Sequence, residues 1–130
     1  MRVFVTDTPD GWSELTDGGR PPVRVSATDL QQARRVRARI RETADDVAVI
    51  LDVTVAVAAD FRSVRDALDP VDGVRYGGTV DGLAGLISDI ELADVADGVT
   101  LLPASPRQDV RAVGRDVLDR LAARAQPRAS

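Results

Sequence analysis

The stretch VAVILDVTVAVAA, residues 47–59, decides the fold. It is rich in β-branched residues, and Asp52 is its one charged residue. Both sets of alternating positions are mostly apolar, which predicts a strand whose two faces are both covered. Strands of this kind belong to parallel sheets that carry helices, so the stretch indicates an α/β fold.

The flanking segments predict alternating strands and helices. Before the stretch we expect a strand at residues 2–6, a loop at residues 12–22, a brief strand at residues 23–26 and a helix that starts at Thr28 or Asp29. After it we expect a short helix at residues 61–68, a linker at residues 71–78, an amphipathic helix, a strand at residues 99–102 and a final helix. The amphipathic helix carries Leu83, Leu86, Ile87 and Ile90 on one face. We therefore expect one α/β domain at residues 1–125 and a frayed tail at residues 126–130.

The composition excludes several kinds of chemistry. The chain has no Cys and no His, so it has no thiolate nucleophile, no Ser-His-Asp relay and no imidazole metal site. No metal site is predicted, and any reaction must use carboxylates, Arg, Tyr76 or a cofactor. The formal net charge of -4 disfavours nucleic acid and anionic membrane surfaces as partners.

The sequence predicts a cytoplasmic protein. No apolar run approaches the ~20 residues that a membrane-spanning helix needs. The amino terminus turns polar at Thr6 and Asp7, too early for the apolar part of a signal peptide. The lack of Cys points in the same direction, because the cytoplasm is reducing.

A glycine turn precedes the amphipathic helix and allows two interpretations. Gly77, Gly78 and Thr79 lie where free N–H groups at a helix start attract phosphate. Asp81 in the first helical turn opposes an anion, and neither the dinucleotide-binding glycine pattern nor a P-loop lysine is present. The sequence favours simple helix initiation over a phosphate site.

Three further features are candidate sites. Asp52 interrupts an apolar strand, where a carboxylate needs a partner or a cavity; a salt bridge to a nearby Arg is the commoner explanation. Trp12 and Tyr76 lie in predicted loops, where aromatic residues either line a ligand site or close a core edge or a subunit contact. Five arginines of the first helix suggest a solvated face or ion pairs between subunits more than a polyanion site: Arg34, Arg35, Arg37, Arg39 and Arg41.

The carboxyl-terminal half resembles one enzyme family. The segments GTVDGLA (residues 78–84) and ADGVTLLP (residues 96–103), with the final helix that follows Asp109, resemble the end of the luciferase-like flavin-dependent monooxygenases. Members of that family are barrels of eight β/α units, which need ~250 residues. The resemblance therefore implies half of a TIM-barrel-like arrangement, with three or four parallel strands flanked by helices. The family's usual proline at the end of the final helix is missing here.

The resemblance also implies a function. It suggests a small luciferase-like monooxygenase or oxidoreductase subunit that uses FMN or a deazaflavin coenzyme. The residues suggested as cofactor contacts are Arg75, Tyr76, Gly77, Gly78 and Thr79, with Asp52 and Trp12 as weaker additions. A half-barrel exposes sheet edges and an apolar concave face. We therefore expect a homo-oligomer, such as a dimer, or a hetero-oligomer with a longer subunit. The alternative is a truncated, non-catalytic relative that acts as a structural or interaction module.

Overall fold

The computed structural model describes residues 1–8, 11–57, 73–105 and 107–125. The strands are β1 (Arg2–Thr8), β2 (Gly11–Glu14), β3 (Pro22–Val25), β4 (Ala48–Val57), β5 (Arg75–Gly78) and β6 (Gly98–Pro103). The helices are α1 (Leu30–Thr43), α2 (Val80–Leu92) and α3 (Val110–Ala125). The helix predicted at residues 61–68 and the predicted tail at residues 126–130 lie outside the described residues.

The strands form a single curled sheet in which β4 is the longest member. The order is β2-β1-β6-β4-β3, and only β2 runs antiparallel to its neighbour among the described strands. β5 pairs with Thr54–Val57 of β4, while β3 pairs with Ala48–Leu51. Because β6 already pairs with β4 through Val55, β3 and β5 must lie end to end along the other edge of β4. The predicted α/β class with a mostly parallel sheet flanked by helices is confirmed.

The strand order differs in one respect from consecutive barrel units. In a barrel of β/α units each strand lies beside the next strand of the chain. Here β3, β4 and β5 follow that rule, because β4 pairs with both β3 and β5, but β6 lies between β1 and β4 and does not pair with β5. The described sheet is thus half-barrel in curvature, but the position of β6 is not that of the next unit in a barrel.

Two short strands were missed by the sequence prediction. β2 starts at Gly11 and takes up the first part of the predicted loop at residues 12–22, and β5 lies within the predicted linker at residues 71–78. Each has only four residues, and β5 ends in two glycines, so neither shows strand periodicity. Both gain their structure from pairing with a longer neighbour, which a local pattern does not reveal.

All three helices contribute to one core on one face of the sheet. Val53 and Val55 of β4 and Val99 of β6 are fully buried there, and Leu83 and Ile87 of α2 pack into the same core. Aliphatic residues account for the whole of this buried cluster. The predicted apolar positions at residues 83, 87 and 90 of α2 are buried, as the helical spacing indicates.

The first turn of α1 has two side-chain caps. Asp29 Oδ1 accepts a hydrogen bond from the Gln32 N–H at 2.7 Å, so Asp29 is the N-cap. Gln32 Oε1 reaches back and accepts from the Thr28 N–H at 2.6 Å. These reciprocal bonds satisfy donors that a helix start leaves unpaired, and they decide between the two predicted start residues.

Asp97 ties α1 to the amino-terminal edge of the sheet. Its carboxylate accepts hydrogen bonds from Arg37 Nη2 at 3.0 Å, Arg41 Nη2 at 2.8 Å and the Val49 N–H at 2.8 Å. Burial raises the pKa of Asp97, but the hydrogen bonds from Arg37 and the Val49 N–H, with the two guanidinium charges, outweigh it and hold the pKa below its usual value. Two of the five predicted helix arginines are therefore structural.

None of the helices in the described ranges is long and apolar enough to cross a bilayer.

Candidate functional site

The face of the sheet opposite the helices carries a row of interacting side chains. Phe4 of β1 lies in register with Thr100 of β6, and Thr100 lies in register with Asp52 of β4. Trp12 extends this series from β2, and Arg24 extends it from β3. We call these five residues the cross-sheet row. It spans five neighbouring strands and lies on a face whose own buried cluster contains no helix residue.

Trp12 covers one end of the cross-sheet row. Its ring stacks on Phe4 with centroids 4.7 Å apart and an interplanar angle of 17°. Its indole Nε1–H donates a hydrogen bond to Thr100 Oγ1 at 2.9 Å, and Thr100 is fully buried. Residue Trp12 is nevertheless 36% exposed. Trp12 is therefore held on both its apolar and its polar side while part of its surface faces solvent.

Arg24 joins the other end of the row to Trp12. Its Nε donates to Asp52 Oδ1 at 2.8 Å, which confirms the predicted salt bridge of Asp52. The guanidinium carbon lies 5.9 Å from the centroid of the Trp12 ring, within cation–π range. The structure thus brings Trp12 and Asp52 together through a residue that sequence reasoning missed. One signal for Arg24 was available in the sequence. The alternation in the segment VRVS, residues 23–26, places Arg24 on the strand face opposite to that of Val25, which packs against the core.

This face is not the apolar concave surface that the sequence suggested. Its apolar part is small, with Phe4, Ala48 and Ile50 buried. Arg2 and Glu14 form an ion pair at 2.7 Å next to it, and hydrogen bonds between these side chains raise the pKa of Arg2 and lower that of Glu14. The face is mixed because even-numbered positions on β4 include Asp52 and Thr54, whereas the odd-numbered positions are all aliphatic.

The glycine turn before α2 has a structural explanation. Thr79 is the N-cap of α2, and its Oγ1 accepts a hydrogen bond from the Gly82 N–H at 3.2 Å. The Tyr76 hydroxyl donates to the Thr79 carbonyl oxygen at 2.9 Å. A Cβ atom at Gly78 would lie 2.6 Å from that hydroxyl, and one at Gly82 would overlap it. The glycines therefore leave room for the Tyr76 ring, and the predicted helix start at this turn is confirmed.

The same segment does not fit a phosphate group. The space above Gly78 and Gly82 is taken by the Tyr76 phenol, and Asp81 in the first turn pairs with Arg120 at 2.7 Å. Arg75 is exposed and has no ion pair within the described part of the chain. Contact of Arg75, Tyr76, Gly77, Gly78 and Thr79 with another part of a cofactor stays a prediction.

A groove of about 600 Å³ opens at the carboxyl edge of the sheet, between the amino-terminal ends of α2 and α3. Gln108, which lines the groove, accepts a hydrogen bond at its Oε1 from the Val57 N–H at 2.8 Å. Asp109 Oδ1 accepts from the Ala112 N–H in the first turn of α3. Three carboxylates and two guanidinium groups line it: Asp81, Asp109, Asp116, Arg107 and Arg120. With more carboxylates than guanidinium groups in its lining, the groove does not favour the binding of an anion.

The described residues offer binding groups more readily than catalytic ones. No set of three acidic residues among them is clustered closely enough to hold a metal ion. The cross-sheet row supplies an aromatic surface, a guanidinium donor and a carboxylate. Such groups bind and orient a planar or polar ligand.

No protein-family model matches the chain, and no curated protein matches it.

Proposed function

We propose that the protein is a luciferase-like subunit that binds a flavin or deazaflavin coenzyme on the face of the cross-sheet row, with the pocket completed by a second chain. The observation that carries this proposal is the partly exposed indole of Trp12 beside the Arg24 guanidinium. The motif resemblance at residues 78–121 supports the choice of coenzyme class. A second chain would complete the pocket over Trp12 and Arg24, the two residues of the row that are most exposed.

The ring system of the coenzyme fits this face better than its phosphate does. A planar heterocycle would pack against the exposed part of Trp12, while Arg24 would donate to an oxygen or nitrogen at its edge. When bound, the ring carries the hydride or oxygen chemistry, which explains how a chain without His or Cys takes part in redox catalysis. The phosphate would lie on the second chain, because the glycine turn before α2 has no space for it.

Trp12 makes this proposal directly testable, since it is the only tryptophan. FMN and the deazaflavin coenzyme are titrated separately into the purified protein while Trp12 emission and solution mass are recorded. We expect saturable quenching by one coenzyme, in a species heavier than the 13.9 kDa chain.

The variant that tests the role of the guanidinium is Arg24→Gln, because it removes this group and keeps the Trp12 fluorophore. It should weaken coenzyme binding about tenfold, which corresponds to the loss of one charge-assisted hydrogen bond. If neither coenzyme quenches Trp12, the protein is co-expressed with a longer luciferase-like subunit and the titration is repeated. Absence of binding in both experiments would reject the coenzyme-binding role.

The second candidate is a non-catalytic structural or interaction module. It is favoured by the internal pairing of the row, because the Trp12 Nε1–H already bonds Thr100 and Asp52 already bonds Arg24. On this interpretation the row only closes a sheet face. The coenzyme titrations separate the two candidates, because a structural row gives no saturable quenching.

A further inference from the structure

Helix α1 presents a basic strip that the fold does not use. Arg37 and Arg41 turn toward Asp97, but Arg34, Arg35 and Arg39 are exposed and form no ion pair with any other described residue. Positions 35 and 39 are neighbours one turn apart, and position 34 is one turn from Ala38. We call Arg34, Arg35, Ala38 and Arg39 the α1 strip.

The carboxyl-terminal end of α2 carries the opposite charge. Asp89 and Glu91 lie in its last turn, which contains no basic residue, and Asp94 lies two residues beyond the end of the helix. Glu91 pairs with the amino terminus at 2.9 Å, while the Asp89 and Asp94 carboxylates have no partner within the described ranges. Leu92 lies between them with 80% of its surface exposed. We call Asp89, Leu92 and Asp94 the α2 tip.

The α2 tip breaks two local rules of helix stability. Carboxylates at the carboxyl end of a helix face the negative end of its dipole, which costs stability that a cation would restore. Asp94 has φ 57, a left-handed conformation that glycine or asparagine usually supplies at a helix end. Leu92, a large apolar side chain, has no cover. The amino terminus compensates Glu91, and Arg37 bonds the Asp94 carbonyl oxygen, but the described residues leave the Asp89 and Asp94 carboxylates and the Leu92 side chain without a partner, and this points to a contact outside the chain.

We propose that the α1 strip binds the α2 tip of a second copy of this chain, and that the contact is reciprocal across a two-fold axis. The arginines of one protomer neutralise Asp89 and Asp94 of its partner, and Leu92 packs over Ala38 between the arginine stems. Helix α1 and the end of α2 are neighbours within one chain, because Arg37 Nη1 donates to the Asp94 carbonyl oxygen at 3.5 Å. A two-fold axis would make the two contacts equivalent, as in an isologous dimer.

This interface is separate from the proposed coenzyme face. The α1 strip and the α2 tip belong to the helices, whereas the cross-sheet row lies on the opposite face of the sheet. Dimer formation through α1 and α2 leaves Trp12 uncovered. The α1–α2 contact is tested by solution mass without coenzyme, whereas the coenzyme proposal is tested by Trp12 quenching, so the two proposals can fail separately.

Solution mass as a function of salt tests the interface. By sedimentation or light scattering, the full chain should be a dimer at about 0.02 M salt and should dissociate toward the monomer at about 0.5 M, where charges are screened over a few ångströms. Arg35→Glu/Arg39→Glu should raise the dissociation constant at low salt about tenfold or more. Arg107→Glu/Arg115→Glu, which makes the same change in net charge elsewhere, should leave the dimer intact.

An exchange of charges between the two surfaces is the decisive test of the interface. Asp89→Arg/Leu92→Arg should also be monomeric, and it should unfold at a higher temperature than the parent chain because the new cation suits the helix dipole. In an equimolar mixture with Arg35→Glu/Arg39→Glu, the basic tip of one variant can bind the acidic strip of the other, and the basic strip of the first can bind the acidic tip of the second. The mixture should therefore recover the dimer mass. A monomeric parent chain at low salt, or a dimer unaffected by either variant, would overturn the proposal.

Discussion

Replacement of Asp97 by asparagine is the sharpest test of how the sheet and α1 are joined. The substitution keeps the size of the side chain and removes its charge. Three donors lie 2.8 to 3.0 Å from the carboxylate oxygens: Arg37 Nη2, Arg41 Nη2 and the Val49 N–H. The substitution weakens all three of these hydrogen bonds at once. Because α1 makes few other polar contacts with the sheet, this one group should have a measurable effect on the free energy of unfolding.

The magnitude follows from the exposure of the partners. The three charged side chains are 21% to 23% exposed, between a surface pair and a buried one. Exposed pairs contribute ~0.2–1 kcal/mol, while breaking a buried pair costs ~3–5 kcal/mol. The asparagine retains a neutral acceptor, so we expect a loss of about 2 kcal/mol at neutral pH. Asp116→Asn, at an exposed position, should change stability by less than ~0.5 kcal/mol.

The contribution of Asp97 to the free energy of unfolding should decrease as the pH falls. The pKa of Asp97 is lower in the folded chain than in the unfolded one, so its stabilisation is complete above the unfolded value of about 4. It is lost as the pH falls through the lower folded pKa. Urea unfolding, followed by circular dichroism between pH 7 and pH 3, should show the difference between parent and Asp97→Asn shrinking as acid is added. A difference below ~0.5 kcal/mol at pH 7, or one that stays constant over the series, would refute the reasoning.

Further substitutions test the Tyr76 turn and the cross-sheet row. Gly82→Ala should destabilise by ~1 kcal/mol although alanine favours helix, because its Cβ overlaps the Tyr76 hydroxyl; in a Tyr76→Phe background the cost should fall. Gly85→Ala in the same helix, where the Cβ meets nothing closer than 3.6 Å, should stabilise by ~0.5–1 kcal/mol, and equal urea midpoints for the two alanine variants would contradict this explanation. Thr100→Val removes the acceptor of the Trp12 indole and should cost ~1 kcal/mol with a changed Trp12 emission maximum; an unaltered emission spectrum would mean that the bond does not form.

The elements with long, regular patterns could be predicted from the sequence. β4 has apolar residues on both faces, and α2 repeats its apolar positions at helical spacing, so each element was identified with its buried side. The salt bridge of Asp52 followed from the cost of burying a carboxylate in an apolar strand. In these cases burial is decided locally, and the local pattern carries the information.

The strand order could not be predicted in the same way. β5 has a pattern that is too short and too rich in glycine, and its place beyond β4 depends on pairing at Thr54–Val57. The position of β6 between β1 and β4 is a choice among topologies that local patterns do not distinguish. Strand neighbours depend on contacts between distant segments, which a single sequence shows only indirectly.

The cross-sheet row was only partly visible for the same reason. Trp12 and Asp52 were named as separate candidates, but the Trp12 partner Thr100 lies 88 positions further along the chain. Arg24 was missed because it lies in a four-residue strand, where alternation gives little evidence. The register of three neighbouring strands is what brings these residues together.

The indole N–H signal of Trp12 in a nitrogen-15 correlated NMR spectrum tests the central claim most directly. The chain has one tryptophan, so the signal is unambiguous, and it reports the hydrogen bond to Thr100 inside the cross-sheet row. On titration with FMN or with the deazaflavin coenzyme, the account predicts a saturable shift of this signal with one of them. A signal that does not move with either coenzyme, in the protein alone and after co-expression with a longer luciferase-like subunit, would contradict it.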